Sequence, residues 1–280
     1  VVCSTGLIGP QLSRERVLLG VGAAQRDLRA GGGPDAAHAI MTTDTVAKEV
    51  VVDGEGFTVG GMAKGAAMLA PNMATMLAVL TTDAAVEPGV LRTLLQQAVA
   101  TSFNTLTVDG CTSTNDTVIV LANGRSGVTD DAVLGDLLAQ ACADLAGQMA
   151  GDAEGATKVV HITVTGARTD EEAATSARKV AQSQLVKCSF YGEDPYWGRV
   201  ISDLGTSGID FDPDKATVSY GGIAVCVGGV AAAHDEAAVK AHLANRYVTL
   251  EADLGLGDGR ATVLTNDLTH AYIDENMGTS

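Results

Sequence analysis

Aromatic residues are scarce in this chain. Phe, Tyr and Trp make up 4% of it, with a single tryptophan, so any core must be filled by Ala, Val and Leu. Basic residues are few as well: 18 Lys and Arg stand against 34 Asp and Glu, a net charge of −16. An acidic surface of this kind repels nucleic acid and anionic membrane, and mildly favours a cationic small molecule. No apolar run approaches the roughly 18 residues of a membrane-spanning helix, and no signal peptide is visible. The cysteines (Cys3, Cys111, Cys142, Cys188 and Cys226) are odd in number and widely spaced, with no CxxC. Neither a disulfide framework nor a zinc site follows from them, and a reduced, cytoplasmic setting is expected. The histidines are scattered, with no metal-ligand spacing and no triad-like partner, so neither a metal ion nor a histidine base is expected.

What is present is enough apolar sequence, 46% of 280 residues, for one large domain or two ordinary ones. Ser13 is placed to cap a helix whose apolar positions are Val17, Leu18, Val21, Ala24 and Leu28. Strands are expected at 46–52, 57–59, 76–80, 105–108, 117–122, 159–165, 218–230, 247–252 and 262–265. Helices are expected from Pro88, over 130–149, from the Thr169/Glu172 capping box to about Val186, and over 235–244. A looped region is expected from Phe190 through Arg199. Strands and helices alternate without a clean βαβ period, which predicts a layered α+β chain, α/β in the broad sense, rather than a doubly wound sheet.

The chain is organised around Gly60 to Asp83. Glycines and Lys64 lead through Pro71 into Met73-Ala74-Thr75-Met76-Leu77 and an apolar strand. A threonine there can be an ordinary strand residue. It can also attack the carbonyl of Ala74, turning the peptide into an ester that water cuts. The new chain would begin with Thr75, whose α-amine serves as base for its own hydroxyl.

Gly61-Met62-Ala63-Lys64-Gly65 followed by Leu69-Ala70-Pro71-Asn72-Met73-Ala74-Thr75-Met76-Leu77 resembles the self-cleavage segment of the ornithine acetyltransferase family, the glutamate N-acetyltransferases of ArgJ type. The likeness runs from Cys3 to Asn276. It implies a DmpA/ArgJ-like sandwich, two β layers covered by helices, in a self-processed N-terminal-nucleophile enzyme. It further implies cleavage between Ala74 and Thr75, with residues 1–74 the end of an α chain whose upstream portion is missing. Residues 75–280 would be the β chain, a main domain with a smaller second one, assembled as an α2β2 heterotetramer. The implied reaction is ping-pong: acetyl passes from N-acetylornithine to Thr75, ornithine leaves, and glutamate carries the acetyl away as N-acetylglutamate, with no cofactor. An alternative is a paralogue running the same reaction for clavulanic acid biosynthesis; another is an aminopeptidase or amidase of the same fold.

The resemblance also assigns roles. Thr5 and Gly6 of the Cys3-Ser4-Thr5-Gly6 turn fall at the oxyanion hole. Thr42, Lys64, Thr75, Glu154 and Asn276 fall at substrate-binding positions, together with a terminal hydroxyl, Thr279 or Ser280. Composition does not separate Thr42 from Thr43. The chain departs from the family pattern at Cys111, where Asp is usual, at Tyr196, where Asn is usual, and in the tail Asn276-Met277-Gly278-Thr279-Ser280. The polar loop from Asp109 to Thr117 is read as scaffold near the site.

Overall fold

The computed structural model describes residues 3–7, 9–68, 76–112, 115–128 and 130–278. Two mixed β-sheets carry the chain, with helices packed on them.

The first sheet is four-stranded, in the order β1 (Lys48–Asp53), β2 (Thr58–Lys64), β3 (Leu77–Thr82), β4 (Thr117–Ala122). The first three pair antiparallel; β4 runs parallel to β3 after a crossover through helix α3 (Pro88–Ala100). Burial alternates strictly along β1, so Val50 and Val52 face inward while Val51 is exposed. The inward face meets α4 (Asp131–Gly151), whose Leu134, Leu138, Leu145 and Met149 are fully buried. Each such leucine contributes about 1.5–3 kcal/mol by leaving water. Glycine at position 61 eases this contact. A Cβ there would lie 3.2 Å from Leu80 and 3.4 Å from Leu145, so its absence lets helix and sheet approach closely.

The second sheet is six-stranded, in the order β10 (Gly259–Asn266), β5 (Val159–Ala167), β9 (Tyr247–Asp253), β6 (Thr217–Tyr220), β7 (Ile223–Val227), β8 (Val230–Ala231). Helix α5 (Asp170–Ala181) packs on β5 and β10, with α7 (Trp197–Leu204) against α5 and α8 (Glu236–Leu243) against β6. Val160, Ile162 and Val164 join Ala177, Phe190, Val218 and Leu250 in a second apolar cluster. Among the described residues, no helix is long and apolar enough to cross a membrane.

Several local expectations meet corrections. Residues 105–108 are not a strand: a 3-10 turn at Phe103–Thr105 leads to a single bridge between Leu106 and Leu264. The capping box does open α5, Thr169 Oγ1 accepting from Glu172 N. But the helix stops at Ala181, because Ser183 starts a second one, α6 (Gln184–Tyr191), by accepting from Val186 N. Phe190 therefore lies in a helix, not a loop. Helix α1 (Arg14–Arg26) forms on its Ser13 cap, but Leu18, Leu19 and Val21 stay exposed and none of its residues is buried. A closing helix, α9 (His270–Asn276), was not anticipated; Thr269 caps it by accepting from Tyr272 N.

Candidate active site

The site is built at the end of β2. Lys64 is the last residue of that strand rather than a loop residue, and it pairs with Leu77, the first of β3. In the sequence, Thr75 stands two residues ahead of Leu77. Ala74 and Thr75 lie outside the described residues, as do Thr279 and Ser280.

Lys64 is 2% exposed, and its Nζ donates to Thr5 Oγ1 at 3.3 Å. Burial lowers the pKa of Lys64 below the ordinary lysine value. The negative charges of Asp44, Asp116 and Glu154 push the other way, and Lys48 adds to the lowering. Gly6, next to Thr5, has φ +139, in the region that favours glycine, and a Cβ there would meet nothing within 4 Å. Its backbone thus borders open space.

Asp44 organises the opposite wall. Its carboxylate accepts from Lys48 Nζ at 2.6 Å, Gly65 N at 2.7 Å and Thr42 N at 3.1 Å. Lys48 also donates to Asp152 at the end of α4, at 2.5 Å. Thr42 therefore reaches the site through its backbone and Asp44, while its side chain points to solvent as an exposed residue.

Glu154, 8% exposed, donates its N–H to Ala66 O at 3.0 Å, two residues beyond Lys64. Its Oε2 accepts from Asn276 Nδ2 at 2.7 Å, so α9 brings Asn276 across 122 residues of sequence. The loop read as scaffold holds Met68 and Met76. Asp109 Oδ2 accepts from Met68 N at 2.5 Å, and Asp116 Oδ1 accepts from Met76 N at 3.1 Å. Cys111 is held in the same loop by its N–H to Asp109 Oδ1.

The structure thus joins Thr5 directly to Lys64 and Glu154 directly to Asn276. It links the two pairs through Ala66 and the field on Lys64. Sequence reasoning did not single out Asp44, Asp109, Asp116 or Lys48. Their signal was slight, since each is an acidic or basic residue beside a turn, where solvated charges are common.

The ArgJ family model matches residues 1–278. The arginine biosynthesis bifunctional protein ArgJ of Mycolicibacterium paratuberculosis is 50% identical over 283 residues, covering 100% of this chain and 69% of that protein. Its namesake from Thermobifida fusca is 50% identical over 281 residues, covering 100% and 73%. Among solved structures, the arginine biosynthesis bifunctional protein ArgJ of Bacillus halodurans superposes with a TM-score of 0.68 at 36% identity, covering 71% of this chain and 96% of that one. The chain belongs to the ArgJ family.

Proposed function

We propose that the protein is an ornithine acetyltransferase of arginine biosynthesis, moving acetyl from N-acetylornithine to glutamate through an ester on Thr75. The observation that carries the reading is the meeting of Thr5 and Lys64 beside β3, the strand that follows Thr75.

Activation comes first. Thr75 Oγ attacks the carbonyl carbon of Ala74, the C–N bond to Thr75 breaks, and the resulting ester is hydrolysed. The products, 1–74 and 75–280, stay together because β2 and β3 pair over six positions, one from each fragment. Two such pairs would form the α2β2 assembly.

In the first half-reaction, Thr75 Oγ attacks the acetyl carbonyl of N-acetylornithine and passes its proton to its own α-amine. The developing oxyanion lies against the Thr5 hydroxyl and Gly6 N–H. Lys64 donates to Thr5 Oγ1, which fills an acceptor lone pair and leaves the Thr5 O–H to point at the oxyanion. The acetyl C–N bond breaks and ornithine leaves with the proton. In the second half, the glutamate amine attacks the acetyl ester. The C–O bond breaks, the Thr75 hydroxyl is regenerated and N-acetylglutamate departs. Glu154, held by Asn276, supplies negative charge for the ornithine ammonium.

Intact mass spectrometry of the wild type and of Thr75→Ala tests the reading, alongside analysis of where the acetyl goes. Two fragments and labelled N-acetylglutamate are expected from the wild type, and one uncut chain from the variant. An uncut, active wild type would overturn it. Free acetate in place of N-acetylglutamate would make the protein a hydrolase of the same fold.

A further inference from the structure

Beside Glu154 lies a cavity of about 100 Å3, of whose wall the steps above use only that carboxylate. Its wall includes Lys187, Asn266, Tyr272 and the carboxylates of Asp109, Glu154 and Asp267. Lys187 stands in the first turns of α6 and is 5% exposed. Its Nζ donates to two neutral acceptors, Asn266 O at 2.6 Å and Thr265 Oγ1 at 3.1 Å. No carboxylate among the described residues pairs with it. Two other buried lysines are paired, Lys48 with Asp44 and Asp152 and Lys158 with Glu193, while Lys64 in the catalytic site donates to the Thr5 hydroxyl. A buried ammonium without an anion is costly and seldom kept without use. Burial pushes Lys187 down to about 8, with the charges of Asp267 and Asp109 opposing the drop, so it is still an ammonium at neutral pH.

A second group in the same wall is also unmatched. Asn266, 1% exposed, fixes its Nδ2 on Ala150 O and Lys158 O, and its Oδ1 has no partner among the described residues. The cavity is therefore bordered by a cation seeking an acceptor and an oxygen seeking a donor, with the Glu154 carboxylate shared with the site.

The proposed reaction sets an unusual demand. One site must hold ornithine and glutamate in turn, reacting through the same α-amine. Their side chains end in opposite charges, an ammonium and a carboxylate, each four bonds from Cα. A pocket of one sign would reject one of them. We propose that this cavity is the side-chain pocket for both: Lys187 takes the glutamate carboxylate, while Glu154 and Asn266 Oδ1 take the ornithine ammonium. The volume has room for the end of a short side chain. Lys187 and Asn266 are thus specificity-determining groups for two substrates of opposite charge, an inference that rests on the reaction assigned above.

Ping-pong chemistry lets each substrate be tested alone. Labelled ornithine should exchange into N-acetylornithine without glutamate, and labelled glutamate into N-acetylglutamate without ornithine. In Lys187→Met, which keeps length and loses charge, KM for glutamate exchange is expected to rise at least about tenfold, with ornithine exchange within about threefold of wild type. Glu154→Gln is expected to show the opposite bias. The wild type supplies a check that no folding defect can cloud: glutamine, the neutral isostere, should need at least about tenfold more concentration than glutamate to accept acetyl. Equal losses in both exchanges for a folded Lys187→Met, or glutamine accepting as well as glutamate, would overturn the pocket. A wild type that supports neither exchange would overturn the acetyltransferase reading itself, and the pocket with it.

Discussion

Lys64 Nζ and Thr5 Oγ1 meet at 3.3 Å although 59 residues separate them in the sequence. The direction of that bond sets a prediction. Thr5→Val removes the hydroxyl that would face the oxyanion, and loss of one such donor costs about 10²–10³ in kcat. Lys64→Met leaves the hydroxyl but no longer orients it, so a smaller fall in kcat is expected than for Thr5→Val. The two together should cost little more than Thr5→Val alone, because Lys64 acts here through Thr5. Steady-state rates for the two single variants and the double variant check this; full additivity would mean that Lys64 works independently of Thr5.

Asp44 ties three parts of the site together, and its titration has a defined sign. Burial raises its pKa, but the hydrogen bonds from Gly65, Lys48 and Thr42 outweigh this and hold it below the ordinary value of 3.8. A folded value below the unfolded one gives stability that is fully present above 3.8 and lost as pH falls through the folded value. Asp44→Asn leaves Lys48 facing Asp152 alone and is expected to destabilise by about 3–5 kcal/mol, the usual result of breaking a buried pair. It should also flatten the acid limb of stability below about pH 3.8. Urea unfolding of wild type and variant at pH 7 and at pH 3 reads both effects. An equal loss at the two pH values would mean that Asp44 does not carry the acid dependence.

Much of this architecture was legible in the sequence, for identifiable reasons. The caps at Ser13, Asp130, Thr169 and Asp235 are local, since a side-chain oxygen serves an N–H two or three residues on, and each starts a helix as expected. The strands at 117–122 and 247–252 carry β-branched runs and emerge nearly in place. The strand expected at 105–108 fails because Phe103 and Leu106 bury by a turn, which an apolar run does not distinguish from a strand. Lys64 was singled out by its small neighbours, but only pairing with Leu77 makes it the end of a strand. Asp44, Lys187 and Asn266 were not legible as site residues at all. Asp44 takes its meaning from Gly65, 21 residues on, and Lys187 and Asn266 from partners 78 and 116 residues away, Thr265 and Ala150, or from the lack of one. Thr42 is tied to Asp44 through a backbone N–H that any residue could supply, so its residue type carries no signal of that contact.

Gly155 lets α9 approach the site closely. Gly155 has φ +62, and a Cβ there would lie 2.6 Å from Ala271 C and 2.9 Å from Tyr272 Cα, both in the backbone of α9. Its carbonyl also accepts from Thr269 Oγ1 at 2.6 Å, the residue that caps that helix. Gly155→Ala should therefore lift α9 and separate Asn276 from Glu154. The left-handed conformation costs a side-chain residue about 1–2 kcal/mol, and overpacking adds about 1–3 kcal/mol, so a stability loss of about 2–5 kcal/mol is expected. Asn276→Ala removes the bonds to Glu154 Oε2 and to Tyr272 O and leaves the helix seated on Gly155. Both variants should raise KM for N-acetylornithine, by about tenfold for Asn276→Ala, the equivalent of about 1.4 kcal/mol. Only Gly155→Ala should lower the melting temperature substantially. A Gly155→Ala protein with unchanged KM and reduced stability would show that α9 anchors the fold without positioning Glu154.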